Sequence, residues 1–369
     1  MEELYIGLMS GTSNDGIDAC LVNLSAQQVE VLGTCYQAYP QDIKIQLDNL
    51  LNNPTTTLAT VSELDHSLAV LNTLAVNKLL QSCSVNKNSI SAIGYHGQTI
   101  HHEPTLDKAN SIQIGDPNFL AARTNITVIA DFRRMDMAAE GQGAPLVPAF
   151  HQSQFYSTEY NRVILNIGGI ANVTILPKDK TAAATGFDTG PGNALLNDWN
   201  QRHQHSEYDN KGEWAANGKC IESLLLKLLE DDYFSKPPPK STGREYFNLD
   251  WLENNYQVNT YNKTDVQTTL AHFSTHSIAN AIVSYAPGTQ QVFVCGGGIN
   301  NSYLMDLLAK QFGSIEVNST EQIGLHPDWV EATAFAWLAR QRLLEKPGNL
   351  TSVTGANREV LLGAIYKCS

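Results

Sequence analysis

Two apolar runs joined by a glycine turn occur twice in this chain, and that repetition restricts its fold more than any other feature. Residues 4–24 read LYIGLMSGTSNDGIDACLVNL, and residues 162–176 read RVILNIGGIANVTIL around Gly168 and Gly169. Each stretch predicts strand, turn, strand. Because the two hairpins open the two halves of the chain, they predict a duplicated domain of three strands plus helices, with two glycine clamps available to one cleft.

The first turn carries Ser10, Gly11, Thr12, Ser13, Asn14, Asp15, Gly16 and Asp18. Asn-Asp-Gly suits a tight hairpin whose central residues need positive φ. A plain turn has little use for three hydroxyl groups, whereas phosphate oxygens take hydroxyl and backbone N–H donors. The stretch therefore reads as a phosphate cradle, although it lacks the Gly-Lys-Ser/Thr of a Walker loop.

A chain of 369 residues is long for one core and suits two domains. The net charge of -13, without a basic cluster, argues against duplex nucleic acid as a partner. Cys20, Cys35, Cys83, Cys220, Cys295 and Cys368 are scattered without a CxxC pair. With no basic and apolar leader and no membrane-length apolar run, the expectation is a reduced, cytoplasmic protein with no membrane contact.

The first half continues with a strand over 29–39, helices near 42–51 and 62–82, and a strand in ISAIGY that turns at His96, Gly97 and Gln98. SIQIGD and ITVIADFRR add strands that end in polar residues, the placement at which open α/β sheets hold ligands. Later, QQVFVCGGGINNSYLMDLLAKQF predicts a strand, then Gly296, Gly297 and Gly298, then a helix. Such a junction allows close approach of backbone to a flat or charged ligand, and equally suits a tight turn.

Three glycine elements in this order resemble the sugar kinase, actin and heat-shock ATPase superfamily. More specifically, GLMSGTSNDGID, GYHGQTIHHEP, ADFRRMDMAAEGQGAPLVPAFH, LNIGGIANVT, GFDTGPGNALLNDW, KSTGREYFN, VCGGGINN and PGNLTSVTGA resemble the anhydro-N-acetylmuramic acid kinase family from residue 5 to about residue 366. The resemblance implies an α/β, two-domain sugar kinase/actin-like (ribonuclease H-like) fold with a central ligand cleft. We expect domains at 1–135 and 136–369, with the segment from about 340 to 369 available to pack back on the first. Asn14 stands where the family's first motif usually has leucine, and Met135 where a third arginine is common.

The implied activity is ATP-dependent opening of the 1,6-anhydro ring of 1,6-anhydro-N-acetylmuramic acid with phosphorylation of O6, a step of peptidoglycan recycling. Asp188 matches the family's catalytic aspartate, expected after a short strand; by itself it equally suits hydrogen bonds to turn amides. The resemblance assigns Glu331 to catalysis as well, as a partner of Asp188 or an acceptor for a sugar hydroxyl, while Asp328 and Glu331 have capping-box spacing. ATP phosphates are expected on Gly11, Thr12, Ser13, Asn14, Asp15, Gly16, Ile17 and Asp18 and on Gly168 and Gly169, with Gly296, Gly297 and Gly298 meeting the nucleoside. Mg²⁺ is assigned to Asp15 and Asp18 through water. His96, Gln98, Asp116, Arg133 and Arg134, read as strand ends, are assigned to the sugar, whose lactyl carboxylate needs a cation. The bland alternatives are a core histidine at His96 and interdomain salt bridges at the arginines.

His272 and His276 are spaced i, i+4 but lack the glutamate and third ligand of a zinc site, and His101, His102, His203 and His205 are equally unsupported. The apolar stripe in VEATAFAWLARQRLL reads as core. A homodimer is expected. The alternatives are a kinase of the same fold for another sugar or carboxylic acid, and a non-catalytic ATP-binding regulator.

Overall fold

The computed structural model describes residues 2–11, 14–25, 28–52, 55–104 and 108–367. Thr12, Ser13 and Cys368 lie outside the described residues. The chain divides into two compact units, 1–154 with 329–369, and 155–328. The expected boundary near residue 135 thus falls inside the first unit.

In the first unit, β1 (Leu4–Met9), β2 (Gly16–Asn23) and β3 (Glu30–Ala38) form an antiparallel meander. Two further strands, β4 (Ile90–Tyr95) and β7 (Val128–Ala130), run parallel to β1 on its other side. A hairpin of β5 (Gln98–Glu103) and β6 (Asn110–Ile114) lies apart from this sheet. Helices α1 (Gln41–Asn52) and α2 (Leu58–Ser82) follow β3; Leu47, Leu64, Leu68, Val76 and Leu79 belong to the core with Ile6, Leu8, Ile17 and Leu21.

The second unit repeats the plan. Its strands β8 (Arg162–Ile167), β9 (Ile170–Leu176) and β10 (Thr185–Pro191) are antiparallel, and β11 (Gln291–Cys295) and β12 (Glu316–Ser319) extend the sheet parallel to β8. The sheet order β10-β9-β8-β11-β12 is that of β3-β2-β1-β4-β7 in the first unit. The glycine-turn echo in the sequence is the trace of this repeated ribonuclease H-like topology, and the fold is the α/β, two-unit sugar kinase/actin-like one.

The last strand, β13 (Ala364–Tyr366), pairs with β7, so the chain's end returns to the first sheet. The apolar helix Val330–Leu343 returns with it and is core, as its stripe predicts. Two strand glycines make its close packing possible. A Cβ on Gly7 would sit 1.7 Å from the carbonyl oxygen of Ala332, and one on Gly94 1.9 Å from that of Phe335. Glycine inside a strand marks such backbone approach.

Candidate active site

In the first unit the glycine turn is held from below. Gln98 is almost fully buried, and its amide nitrogen donates to the Gly11 carbonyl at 3.2 Å and to Asn14 Oδ1 at 3.0 Å. Tyr39 Oη donates to Gln98 Oε1 at 3.1 Å. Gln98 opens β5 rather than ending a strand, and through these bonds it supports the turn. Asn14 explains its own departure from leucine. It is buried at φ 53°, a conformation Asn tolerates better than an aliphatic residue, and its amide also donates to Asp48 on α1 at 3.2 Å. Ser10 Oγ donates to the Gly97 carbonyl at 3.1 Å.

Gly16, Ile17 and Asp18 begin β2 and not the turn. A Cβ at Gly16 would strike the Gln37 carbonyl and the Tyr36 ring, and Ile17 is fully buried. Packing accounts for both residues. Asp15 is exposed at the turn, and Asp18 is half-buried.

His96 directly follows β4 and is buried, with Nε2 accepting from Arg133 Nη2 at 2.8 Å and Nε at 3.2 Å. A guanidinium only donates, so Nε2 is an acceptor and the neutral ring carries its proton on Nδ1. Burial, then the Arg133 charge, hold His96 well below the usual histidine range, against the nearby Ser10 and Gly97 carbonyls. Arg133 Nη1 donates to the Gly143 carbonyl at 2.8 Å. Burial pulls Arg133 down to about 10, opposed by the carboxylates of Glu331 and Asp136, so it stays charged at neutral pH.

Glu331 lies in the first turn of the helix Val330–Leu343, and burial raises its carboxyl while the Arg133 charge lowers it. No capping box forms, since Trp329 is the N-cap and accepts no side-chain bond. Asp116 caps α3 (Pro117–Thr124), accepting the Asn118 N–H at 2.9 Å. Arg133 N-caps α4 (Arg134–Ala138), and the exposed Arg134 pairs at 2.8 Å with Asp131 in its own unit. The strand-end placement therefore holds closely for His96 alone.

In the second unit Asp188 sits inside β10, at a bulge between Asp188 and Gly190, not after a strand. Bulges redirect a side chain out of the regular pleat. Its Oδ2 accepts the Thr242 backbone N–H at 3.0 Å, its N–H donates to the Lys240 carbonyl at 3.1 Å, and its carbonyl accepts from Tyr233 Oη at 2.6 Å. Burial pushes the Asp188 carboxyl up to about 7, moderated by the Thr242 N–H and reinforced by Glu245. That is the range a general base needs near neutral pH.

The glycines sort into two kinds. Gly296 has φ 79°, and a Cβ there would lie 2.3 Å from Asn166 Oδ1; one on Gly298 would lie 2.4 Å from Ile167 Cγ2. Packing requires both. A Cβ on Gly297 meets nothing within 4 Å, and at Gly168 and Gly169 it finds only ordinary contacts of 3.5 Å or more. The protein leaves room at these three positions. The Gly168 and Gly169 carbonyls accept N–H bonds of 2.9–3.0 Å from Gly192, Asn193 and Ala194 at the start of α5 (Ala194–Gln204).

The profile of anhydro-N-acetylmuramic acid kinase matches residues 3–368. The anhydro-N-acetylmuramic acid kinase of Coxiella burnetii (strain RSA 493) is 47% identical over 365 residues, covering 99% of this chain and 98% of that protein. The chain belongs to the anhydro-N-acetylmuramic acid kinase family. That of Shewanella oneidensis is 48% identical over 363 residues, covering 98% of both. As a member of this family the chain is a kinase, and its KSTGREYFN segment gains a role that composition alone does not suggest. Lys240 and Thr242 fix Asp188 through their backbone. Arg244, whose side chain passes Gly169, is paired with Asp198 on α5 at 2.5 Å. The signal for these residues was their place in a long family motif.

Among the described residues no group of three His, Cys, Asp or Glu could hold a metal ion, and His276 Nδ1 lies 2.8 Å from the His272 carbonyl oxygen. No helix among them is long and apolar enough to cross a membrane.

Proposed function

We propose that the chain converts 1,6-anhydro-N-acetylmuramic acid, water and ATP into N-acetylmuramic acid 6-phosphate and ADP, in the recycling of peptidoglycan. The observation that carries the reading is Asp188, fixed by Thr242 and poised near neutral pH. Asp188 takes a proton from water as the water oxygen bonds to C1. The C1–O6 bond breaks, O6 accepts the γ-phosphoryl group, and ADP leaves. The backbone of the first glycine turn, ahead of β2, and that of Gly168–Gly169 receive phosphate oxygens, with Gly297 open to the nucleoside. Arg133 receives the lactyl carboxylate beside His96, and Glu331 accepts a sugar hydroxyl.

Mg²⁺, when bound, neutralises charge on the transferred phosphoryl group. Asp15 and Asp18 would hold it through water; two hard oxygen donors, with no larger acidic cluster among the described residues, fit an ion that keeps most of its waters. We further propose a cytoplasmic homodimer, a reading supported by the family resemblance. A coupled ADP assay across a sugar panel tests the function: turnover is expected with the anhydro sugar and almost none with sugars lacking the 1,6-bridge. Equal rates across the panel would refute the substrate assignment. ATP binding without sugar-dependent ADP release would favour a regulator.

A further inference from the structure

The first unit holds a fully buried carboxylate that no step of this reaction uses. Asp136 on α4 accepts the Gly143 N–H at Oδ2 over 2.8 Å. Its Oδ1 accepts from Asn349 Nδ2 at 2.7 Å and from Thr354 Oγ1 at 2.8 Å. Asn349 and Thr354 belong to PGNLTSVTGA, a motif with no role in the chemistry above. Main-chain bonds run alongside. The Gln142 N–H donates to the Thr354 carbonyl at 2.8 Å, and the Asn357 N–H to the Ala139 carbonyl at 2.8 Å.

The loop is shaped around this carboxylate. A Cβ on Gly141 would lie 2.2 Å from Asp136 Oδ2, and Gly143 has φ 68°. The same Gly143 that donates to Asp136 accepts from Arg133 Nη1 through its carbonyl. A continuous path therefore runs from Asn349 and Thr354 through Asp136 and Gly143 to the Arg133 guanidinium. His96 holds the other edge of that group. Of the five N–H donors of an arginine, three are committed to Gly143 and His96, leaving two for a planar acceptor.

All three side-chain hydrogen bonds of Asp136 come from neutral donors. Burying a carboxylate is costly, and a brace alone could be neutral. A negative charge earns its place here by helping to keep the nearby half-buried guanidinium charged. We propose that Asp136 is a positioning residue for recognition of the sugar's carboxylate, fixing Arg133 through Gly143 with the 349–354 segment as its anchor. The inference rests on the reading of Arg133 as the receptor for the lactyl group.

The test compares two ligands, 1,6-anhydro-N-acetylmuramic acid and 1,6-anhydro-N-acetylglucosamine, which lacks the lactyl carboxylate. Calorimetry gives Kd for each on the full chain with a non-hydrolysable ATP analogue, and kcat and both KM values are measured with ATP. Asp136→Asn places an amide where only acceptors fit, losing at least one bond however it is oriented. Thr354→Val removes one donor and leaves Asp136 and Arg133 in place. We expect Asp136→Asn to cut the preference for the acid at least tenfold through its KM, with KM for ATP unchanged and kcat within threefold. Thr354→Val should act in the same direction by about threefold, and it decides the matter if Asp136→Asn does not fold. Equal weakening of both sugars would mean a purely structural role and overturn the proposal. So would an unchanged preference in folded variants while Arg133→Ala abolishes it. If Arg133→Ala itself leaves the preference intact, the reading of Arg133 fails and the inference falls with it.

Discussion

The carboxylate of Asp188 is held at 3.0 Å by the backbone N–H of Thr242, a residue 54 positions later in the chain. That bond stabilises the charged form, while burial favours the neutral one more strongly and leaves the group titrating near 7. A base must be deprotonated to act. We expect kcat/KM for the sugar to rise with pH through a single ionisation near 7, and Asp188→Asn to lose at least a thousandfold in turnover with nucleotide affinity retained. A pH-rate profile and calorimetry check both; turnover within threefold of wild type would remove Asp188 from the chemistry.

The same shift has a cost in stability. The native state keeps the Asp188 proton to a higher pH than the unfolded chain, whose carboxyl titrates near 3.8. Between about pH 4 and 7 the native state binds more protons, so this group makes stability fall as pH rises. Asp188→Asn removes the effect. Thermal unfolding should show the variant gaining more over wild type at pH 8 than at pH 4.

Gly296 and Gly297 should respond oppositely to alanine. At Gly296 a side chain meets both a left-handed backbone and Asn166, so Gly296→Ala should destabilise by about 2 kcal/mol or more. At Gly297 there is room. Gly297→Ala should keep the wild-type Tm within a degree or two while raising KM for ATP severalfold. Denaturation and steady-state kinetics on the pair separate the packing role from the ligand role.

Much of this arrangement was legible in the sequence, and the reason is locality. Glycine turns between apolar runs are local signals, so both hairpins and the duplicated topology could be read. The apolar stripe of Val330–Leu343 announced a core helix but not whose core. The clue lay in Gly7 and Gly94, each inside a buried strand, where glycine has no propensity reason to be. Gln98 and Asp136 were illegible as supports because their partners are far away in sequence: Gln98 binds Gly11, and Asp136 binds Thr354. A polar residue in a family motif looks the same whether it touches substrate or holds the residue that does.

Asn14→Leu would install the residue usual in the family. In this chain it would lose the bonds to Gln98 and Asp48 and force a bulky residue to φ 53°. We expect a loss of about 1–3 kcal/mol of stability and a higher KM for ATP, measured by denaturant unfolding and kinetics. Asn14→Gly, which relieves the backbone, should cost less.

The most direct test of the account is the product formed in water enriched in oxygen-18. With ATP and 1,6-anhydro-N-acetylmuramic acid, mass spectrometry should find one heavy oxygen at C1 of N-acetylmuramic acid 6-phosphate and one ADP for each product. A phosphorylated sugar that retains its anhydro bridge, or ADP released at the same rate without the sugar, would contradict it.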